Sequence, residues 1–256
     1  MLLATDLDGT FLGGKSSYKQ QLYQLIRENK DIRLVFVTGR GLATVIPLLN
    51  DPMIPYPDFI ICDVGATIVH GHTLEPVEQL QSAIEQKWPG TLKILGQLKD
   101  ITELKYQEVP QERRCSFYTE QEYIAAKVKL KVTELDCDVI YSSNKFLDVL
   151  SAGVNKGSSL VKLVNYLCID HEDVLVAGDT LNDLAMYKCG FKGVVVGKAE
   201  EKLVKATENI ANVYLAEFEG AGGILLGLEY FGFISKICKN ETLLLQKSPD
   251  RSIQLL

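Results

Sequence analysis

The sequence predicts an α/β protein built on a parallel sheet with helices on both faces, interrupted by an inserted α+β unit. Three features point to it. Short apolar runs at 2–5, 33–37, 59–61, 174–177 and 194–196 alternate with helical stretches, the pattern of βαβ units. Each run ends in Gly, Thr or Asp, as strands do where they feed a turn at the carboxyl edge of such a sheet. Between them, residues 81–151 break the alternation and group their helices and strands instead.

In order along the chain, 2–5 reads as a buried strand and 18–29 as an amphipathic helix with Leu22, Leu25 and Ile26 on one face. The β-branched run 33–37 follows and ends in Thr38-Gly39-Arg40. A helix over 41–49 then stops near Asp51-Pro52. The strand at 59–61 closes with Asp63-Val64-Gly65. In the insert, a helix to about Trp88 precedes short strands near 101–106 and 114–118. A second helix over 120–135 and strands at 138–141 and 146–150 complete it. The expected division is therefore a discontinuous core, residues 1–80 and 152–256, and a cap over 81–151. After Phe233 the chain is harder to place: 243–245 is apolar enough to pack, whereas Lys-Ser-Pro-Asp-Arg reads as loose.

Composition narrows the function. The chain has 256 residues, enough for one large domain or a core plus a smaller module. Its formal net charge of -6 argues against nucleic acid, because no basic stripe is present to neutralise phosphates. Lys127, Lys129 and Lys131 are flanked by acids and read as a solvated face. The six cysteines form no C-x-x-C pair and, with three unclustered histidines, argue against zinc. The N-terminal apolar run is too short for a signal peptide or a membrane span and is broken by Asp6, so the expectation is a soluble cytoplasmic protein. Monomer and weak dimer both remain open.

Four polar clusters carry the chemistry: Asp6-x-Asp8, Thr38-Gly39-Arg40, Lys156-Gly157, and Gly178-Asp179-x-x-Asn182-Asp183. Three follow strands directly, and the carboxyl ends of an open α/β sheet share one edge, where ligands bind. Paired acids at the end of a buried strand raise each other's pKa unless a cation or hydrogen bonds compensate. Asp6 and Asp179, helped by Asn182 or Asp183, offer hard oxygens suited to Mg²⁺. Thr38 and nearby backbone N–H groups can hold phosphoryl oxygens, with Lys156 as a point charge. Asp6 is placed to attack phosphorus, and Asp8 to act as general acid and base.

Asp6-Leu-Asp-Gly-Thr10, Thr38, Lys156 and Gly178-Asp179-Thr-Leu-Asn182-Asp183 resemble the four motifs of the haloacid dehalogenase superfamily. The position and α+β pattern of the insert resemble its C2-capped, Cof-like phosphatases. Asp63-Val-Gly-Ala-Thr67, Tyr141-Ser-Ser, Leu147-Asp-Val-Leu150 and Ala221-Gly-Gly-Ile-Leu225 are most similar to the sucrose-phosphate phosphatases. The resemblance implies a Rossmann-like core and Asp6 as nucleophile, with Asp8 as acid and base. It implies that Thr38 and Lys156 hold the transferring group. Mg²⁺ would sit on Asp6, the Asp8 carbonyl and Asp179, supported by Asn182 and Asp183. The implied substrate is a small sugar phosphate such as sucrose 6-phosphate or a related disaccharide phosphate. A phosphomannomutase-like phosphotransferase, a broad-specificity phosphatase and an inactive binding scaffold are the alternatives.

Several neighbours have two readings. Arg40 either clamps a substrate phosphate or sugar hydroxyl or forms a surface ion pair, and Gly39 allows close approach to an anion. Asp63 is an active-site acid or a turn cap. Asn144 and Lys145 are candidate substrate contacts reaching from the cap, or an ordinary hairpin turn. Arg113 and Arg114 read as solvated. Trp88, Met186 and Tyr187 read as packing.

Overall fold

The computed structural model describes residues 1–235. Cys238 and the tail segment at 243–245 lie outside them. Among the described residues the strands form two sheets. The larger contains β1 (Leu2–Thr5), β2 (Arg33–Val37), β3 (Phe59–Cys62) and β4 (Thr67–His70). The smaller contains β5 (Lys105–Tyr106), β6 (Arg114–Tyr118), β7 (Cys137–Ser142) and β8 (Phe146–Ser151). The chain then returns to the larger sheet with β9 (Val174–Gly178), β10 (Lys192–Gly197) and β11 (Val213–Glu219).

The larger sheet runs β11-β10-β9-β1-β2-β3-β4. All neighbours are parallel except β3 and β4, which pair antiparallel at one edge. β1 pairs β2 on one side and β9 on the other, so the strand order reverses there. This is the switch point at which α/β sheets bind ligands. The side-chain alternation of strands divides the core. Leu2 and Ala4 face one cluster, which includes Leu160, Leu163, Tyr187 and Leu203. Leu3 faces the other, with Leu22, Ile26, Val45 and Ile224.

The helices that cover these faces are α1 (Ser16–Glu28) and α2 (Leu42–Leu49), then α3 (Glu78–Glu85). The smaller unit carries α4 (Thr91–Leu98) and α5 (Glu122–Val132). The core resumes with α6 (Lys156–Tyr166), the single turn α7 (Leu184–Tyr187), α8 (Glu201–Thr207) and α9 (Ala221–Tyr230).

The five core strands expected from the sequence are present, while the edge strands β4 and β11 and helix α4 are additions. The helix expected over 120–135 is α5 followed by a 3-10 turn, Thr133–Leu135. The strand expected near 101–106 reduces to two residues. Trp88 packs on the core of the smaller unit, and Met186 and Tyr187 are fully buried in the larger one.

The smaller sheet, ordered β5-β6-β8-β7, is antiparallel throughout. Cys115 and Phe117 of β6 and Leu147 and Val149 of β8 pack with Ile94, Leu98, Ile124 and Val128 of α4 and α5. By alternation, Arg114, Ser116 and Asp148 belong to the opposite face. They are nonetheless buried, because that face closes over the carboxyl edge of the larger sheet.

Candidate active site

β1 delivers Asp6 to the switch point, and the chain then turns over Leu7–Phe11, with Asp8 and Gly9 outside helical geometry. Gly9 adopts φ 79° there, a region that L side chains rarely occupy. A Cβ at Gly9 would lie 2.2 Å from Asp179 Oδ2, so only glycine lets this turn meet the Asp179 carboxylate. Thr10 Oγ1 donates to Asp179 Oδ1 at 2.7 Å and fixes that carboxylate in turn. Thr10 was visible in the sequence as part of Asp-Gly-Thr, but nothing in its spacing showed that it would orient a distant acid.

Lys156 is the first residue of α6. Asn155 caps that helix reciprocally with Ser158: Asn155 Oδ1 accepts from Ser158 N at 2.9 Å, and Ser158 Oγ accepts from Asn155 N at 3.0 Å. A cation at a helix N-terminus opposes the helix dipole. Here two acids outweigh it: Lys156 Nζ donates to Asp6 Oδ1 and Asp183 Oδ1, both at 2.6 Å. Lys156 is 0 % exposed. Burial alone would push its ammonium down, but Asp183 and Asp6 beside it hold it above the ordinary lysine range. Burial pushes the Asp6 carboxyl up against the lowering pull of Lys156, with Asp183 and Asp179 adding to the rise. Asp179 is also raised, to about 6, chiefly by burial.

Asp183 organises the last cluster. Its Oδ2 accepts from the N–H groups of Asp179 and Thr180, each at 3.0 Å, while its Oδ1 meets Lys156. Both Asp183 oxygens are thus engaged. Asp6 and Asp179 line the cavity, and in each a protein donor holds Oδ1, leaving the second oxygen available. Carboxylate oxygens of Asp6, Asp179 and Asp183 all lie within 4.8 Å of one another. Three acids face a single ammonium, so the cluster carries uncompensated negative charge. A divalent cation with a preference for oxygen fits that deficit. Asn182 lines the same cavity, and its Oδ1 accepts from Thr180 Oγ1 at 3.1 Å.

Asp8 sits at the mouth with its side chain 61 % exposed. Arg40 grips it with two bonds, Nε to Oδ2 at 2.8 Å and Nη2 to Oδ1 at 2.5 Å. Of its two readings, Arg40 takes the ion pair, but one made inside the site. Thr38 is buried, and Gly39 and Arg40 line the cavity. The cavity holds about 500 Å³, with the core acids below and Gln107, Ser142, Phe146 and Asp148 of the smaller unit above. Asn144 and Lys145 are not brought to it. Ser143 and Asn144 form the hairpin turn with φ 52° and 50°, and the Lys145 ammonium lies over the Tyr118 ring at 5.1 Å.

Arg114 corrects the sequence reading. It is 6 % exposed, and its Nη1 donates to Gly39 O at 2.6 Å. Its Nε lies 3.3 Å from Asp63 Oδ1, and its Nη1 lies 3.4 Å from Asp148 Oδ1. The signal was the alternation Arg114-Cys115-Ser116-Phe117, which sets the arginine opposite the apolar face. Arg113 is half-buried and pairs with Glu112 and Glu85. Asp63 is buried and accepts from Thr67 Oγ1 at 2.9 Å, which joins the turn-cap reading to a second task as the partner of Arg114. Burial pushes Asp63 up to about 6, with Arg114 opposing.

A switch-point acid cluster with one buried lysine, beneath a smaller α+β unit, places the chain in the haloacid dehalogenase superfamily. Within it, the chain belongs to the sucrose-6F-phosphate phosphohydrolase family, whose pattern matches residues 1–232. Over 237 residues, 92% of the chain, it is 50% identical to a glucosylglycerol-phosphate synthase of Pseudomonas anguilliseptica, but it spans only 31% of that protein's length. It is 28% identical to mannosylfructose-phosphate phosphatase of Agrobacterium fabrum, covering 90% of the chain and 96% of that protein. The sucrose-phosphatase of Synechocystis sp., solved with sucrose and phosphate, shares the fold. Its TM-score is 0.82 at 24% identity, covering 91% of this chain and 98% of that one.

Lys156→Met leaves Asp6 and Asp183 buried without their cation, and a broken buried pair costs about 3–5 kcal/mol. Urea unfolding at neutral pH reads this loss directly; a loss below about 1 kcal/mol, the range of exposed pairs, would contradict the assigned burial.

Proposed function

We propose that the chain removes phosphate from a small phosphorylated glycoside through a phosphoryl group carried on Asp6. The observation that carries the proposal is Lys156 bonded to both Asp6 and Asp183 at 2.6 Å, beside Asp179, at the switch point of the sheet. The lysine aims the Asp6 carboxyl and opposes the rise in its pKa that burial causes, both of which favour an attacking oxygen.

In the first step the free oxygen of Asp6 forms a bond to phosphorus as the bond to the sugar oxygen breaks. Asp8, at the cavity mouth, first leaves its ion pair with Arg40 and takes a proton from solvent, which it then gives to the departing alkoxide. In the second step the Asp8 carboxylate takes a proton from a water that attacks phosphorus, and the bond to Asp6 breaks to release inorganic phosphate. Between turnovers Arg40 holds the Asp8 carboxylate with two bonds. The Thr38 hydroxyl and the Gly39 N–H hold the phosphoryl oxygens, while Lys156 balances their charge. Mg²⁺, held by Asp6, the Asp8 carbonyl and Asp179 with Asn182 and Asp183 behind them, would neutralise the phosphoryl oxygens when bound.

The cap sets the leaving group. A cavity of about 500 Å³ suits a two-unit glycoside bearing a phosphate. Family membership favours sucrose 6-phosphate or a related disaccharide phosphate. A second reading, glucosylglycerol phosphate, draws on the 50% identity to the synthase named for that compound. No helix among the described residues is long and apolar enough to cross a membrane, and the substrates considered are all water-soluble.

Phosphate release should be measured from sucrose 6-phosphate, mannosylfructose phosphate, glucosylglycerol phosphate and simple hexose phosphates, with Asp6→Asn as control. The proposal predicts a preference for one phosphorylated two-unit glycoside, abolished in the variant. A flat profile would retire the substrate class, and turnover surviving in Asp6→Asn would remove the mechanism.

Metal binding is tested through stability. Without a cation, Asp179 binds its proton more tightly folded than unfolded, because burial lifts it to about 6. Its contribution to stability is therefore present at low pH and lost as pH rises through about 6. Mg²⁺ favours the ionised form, so the rise in Tm on adding it should be larger at pH about 7.5 than at about 5. Equal shifts at both would contradict a site on these acids.

A further inference from the structure

We propose that Arg114 is a positioning residue by which the cap completes the phosphate-binding turn of the core. The proposal rests on the reading of Thr38-Gly39-Arg40 as that turn. Each of its three carbonyls is pinned from outside. Val64 N–H donates to Thr38 O at 3.1 Å, and Asp63 N–H donates to Arg40 O at 2.9 Å. The middle carbonyl, Gly39 O, accepts from Arg114 Nη1 at 2.6 Å. Two pins therefore come from the core, and the third comes from β6 of the cap.

The middle pin governs a hydroxyl. A peptide unit is planar, so fixing Gly39 O also fixes the Arg40 N–H on the opposite side. That N–H donates to Thr38 Oγ1 at 3.1 Å. With its lone pair engaged, the Thr38 hydroxyl has its own proton left to give to a phosphoryl oxygen. Arg114 thus orients Thr38 through one peptide plane without touching the phosphoryl group.

Arg114 is itself held between two acids, with its buried Nε in charge contact but without a hydrogen bond. Asp63 Oδ1 at 3.3 Å and Asp148 Oδ1 at 3.4 Å face its guanidinium, and Ser116 Oγ donates to the same Asp148 oxygen at 2.5 Å. The core pins come from Asp63 and Val64, which with Gly65 take φ of 53°, 57° and 113° in succession. A β-branched residue in that region needs support from its surroundings. Glu112 N–H, from the same cap segment, donates to Asp63 Oδ1 at 3.3 Å. A Cβ on Gly41 would lie 2.1 Å from Pro110 O, so the cap backbone rests directly on the turn. Lifting the cap removes Arg114, and the phosphate turn loses one of its three supports. Cap closure and phosphate binding are in this way one event.

The test compares Arg114→Met and Arg114→Lys with the unaltered chain, using the preferred sugar phosphate and p-nitrophenyl phosphate, with inorganic phosphate as inhibitor. A misplaced phosphate turn lowers kcat/KM on both substrates by a similar factor, about 10- to 100-fold in Arg114→Met. The inhibition constant of phosphate rises about tenfold, the effect of one charge-assisted hydrogen bond. Arg114→Lys keeps a donor for Gly39 O and recovers part of both losses. Loss confined to the sugar phosphate, with phosphate inhibition unchanged, would make Arg114 a sugar contact and overturn the proposal. Hydrogen exchange at the Arg40 amide reads the same support without turnover: it speeds up in Arg114→Met, and unchanged protection would overturn the proposal. If the unaltered chain hydrolyses neither substrate, the phosphatase reading fails, while the exchange measurement still decides the role of Arg114. Asp63→Asn, which keeps the Asp63 N–H pin while weakening the Arg114 pairing together with the bond from Thr67 Oγ1, carries the test if Arg114→Met does not fold. It predicts smaller changes of the same sign.

Discussion

The structure depends on one buried cation. Lys156 joins the end of β1 to the loop after β9 by bonding Asp6 and Asp183 together, both at 2.6 Å. Without it, acids from two adjacent strands would repel one another in a largely buried site, and the carboxyl edge of the sheet would not close. The cost of burying a lysine at a helix N-terminus is met locally, by two carboxylates and a reciprocal cap of Asn155 and Ser158. The remaining negative charge suits the cluster to a further cation, which would also offset its repulsion of a phosphoryl group.

Around that centre, core and cap divide the work by strand alternation. In the larger sheet both faces of the strands are apolar and only the carboxyl ends carry chemistry. In the smaller sheet one face is apolar against α4 and α5, while the other presents Arg114, Ser116 and Asp148 to the site. A buried arginine facing two buried acids favours one arrangement of cap on core. The same unit that forms the upper wall of the cavity therefore also supports the Thr38-Gly39-Arg40 turn.

The core was readable in the sequence because its strands are nearly continuous apolar runs that end in polar motifs, as in β1 before Asp6-Leu-Asp and β9 before Gly178-Asp179. The edge strands were not. β11 mixes exposed and half-buried residues and lacks that contrast, and β4 is a short antiparallel strand on the sheet margin. Motif spacing named Asp6, Lys156, Asp179 and Asp183, but it gave no means of telling acids engaged by protein donors from those with an oxygen to spare. That distinction arises from the Thr180 and Asp179 N–H groups folding back onto Asp183. Arg114 was misread because two adjacent arginines resemble a solvated run. Its partners Gly39, Asp63 and Asp148 lie 75, 51 and 34 positions away in sequence, and only the closure of cap on core unites them.

The measurement that tests the account most directly is isolation of the phosphoryl group on Asp6. Asp8→Asn removes the base of the second step, and acetyl phosphate has a leaving group that needs no proton, so the first step still runs. After acid quenching, mass spectrometry should find one phosphoryl group on the peptide that carries Asp6. Turnover of acetyl phosphate with no phosphoryl group on the chain, or with the group on another residue, would contradict the central role given to Asp6 and Lys156.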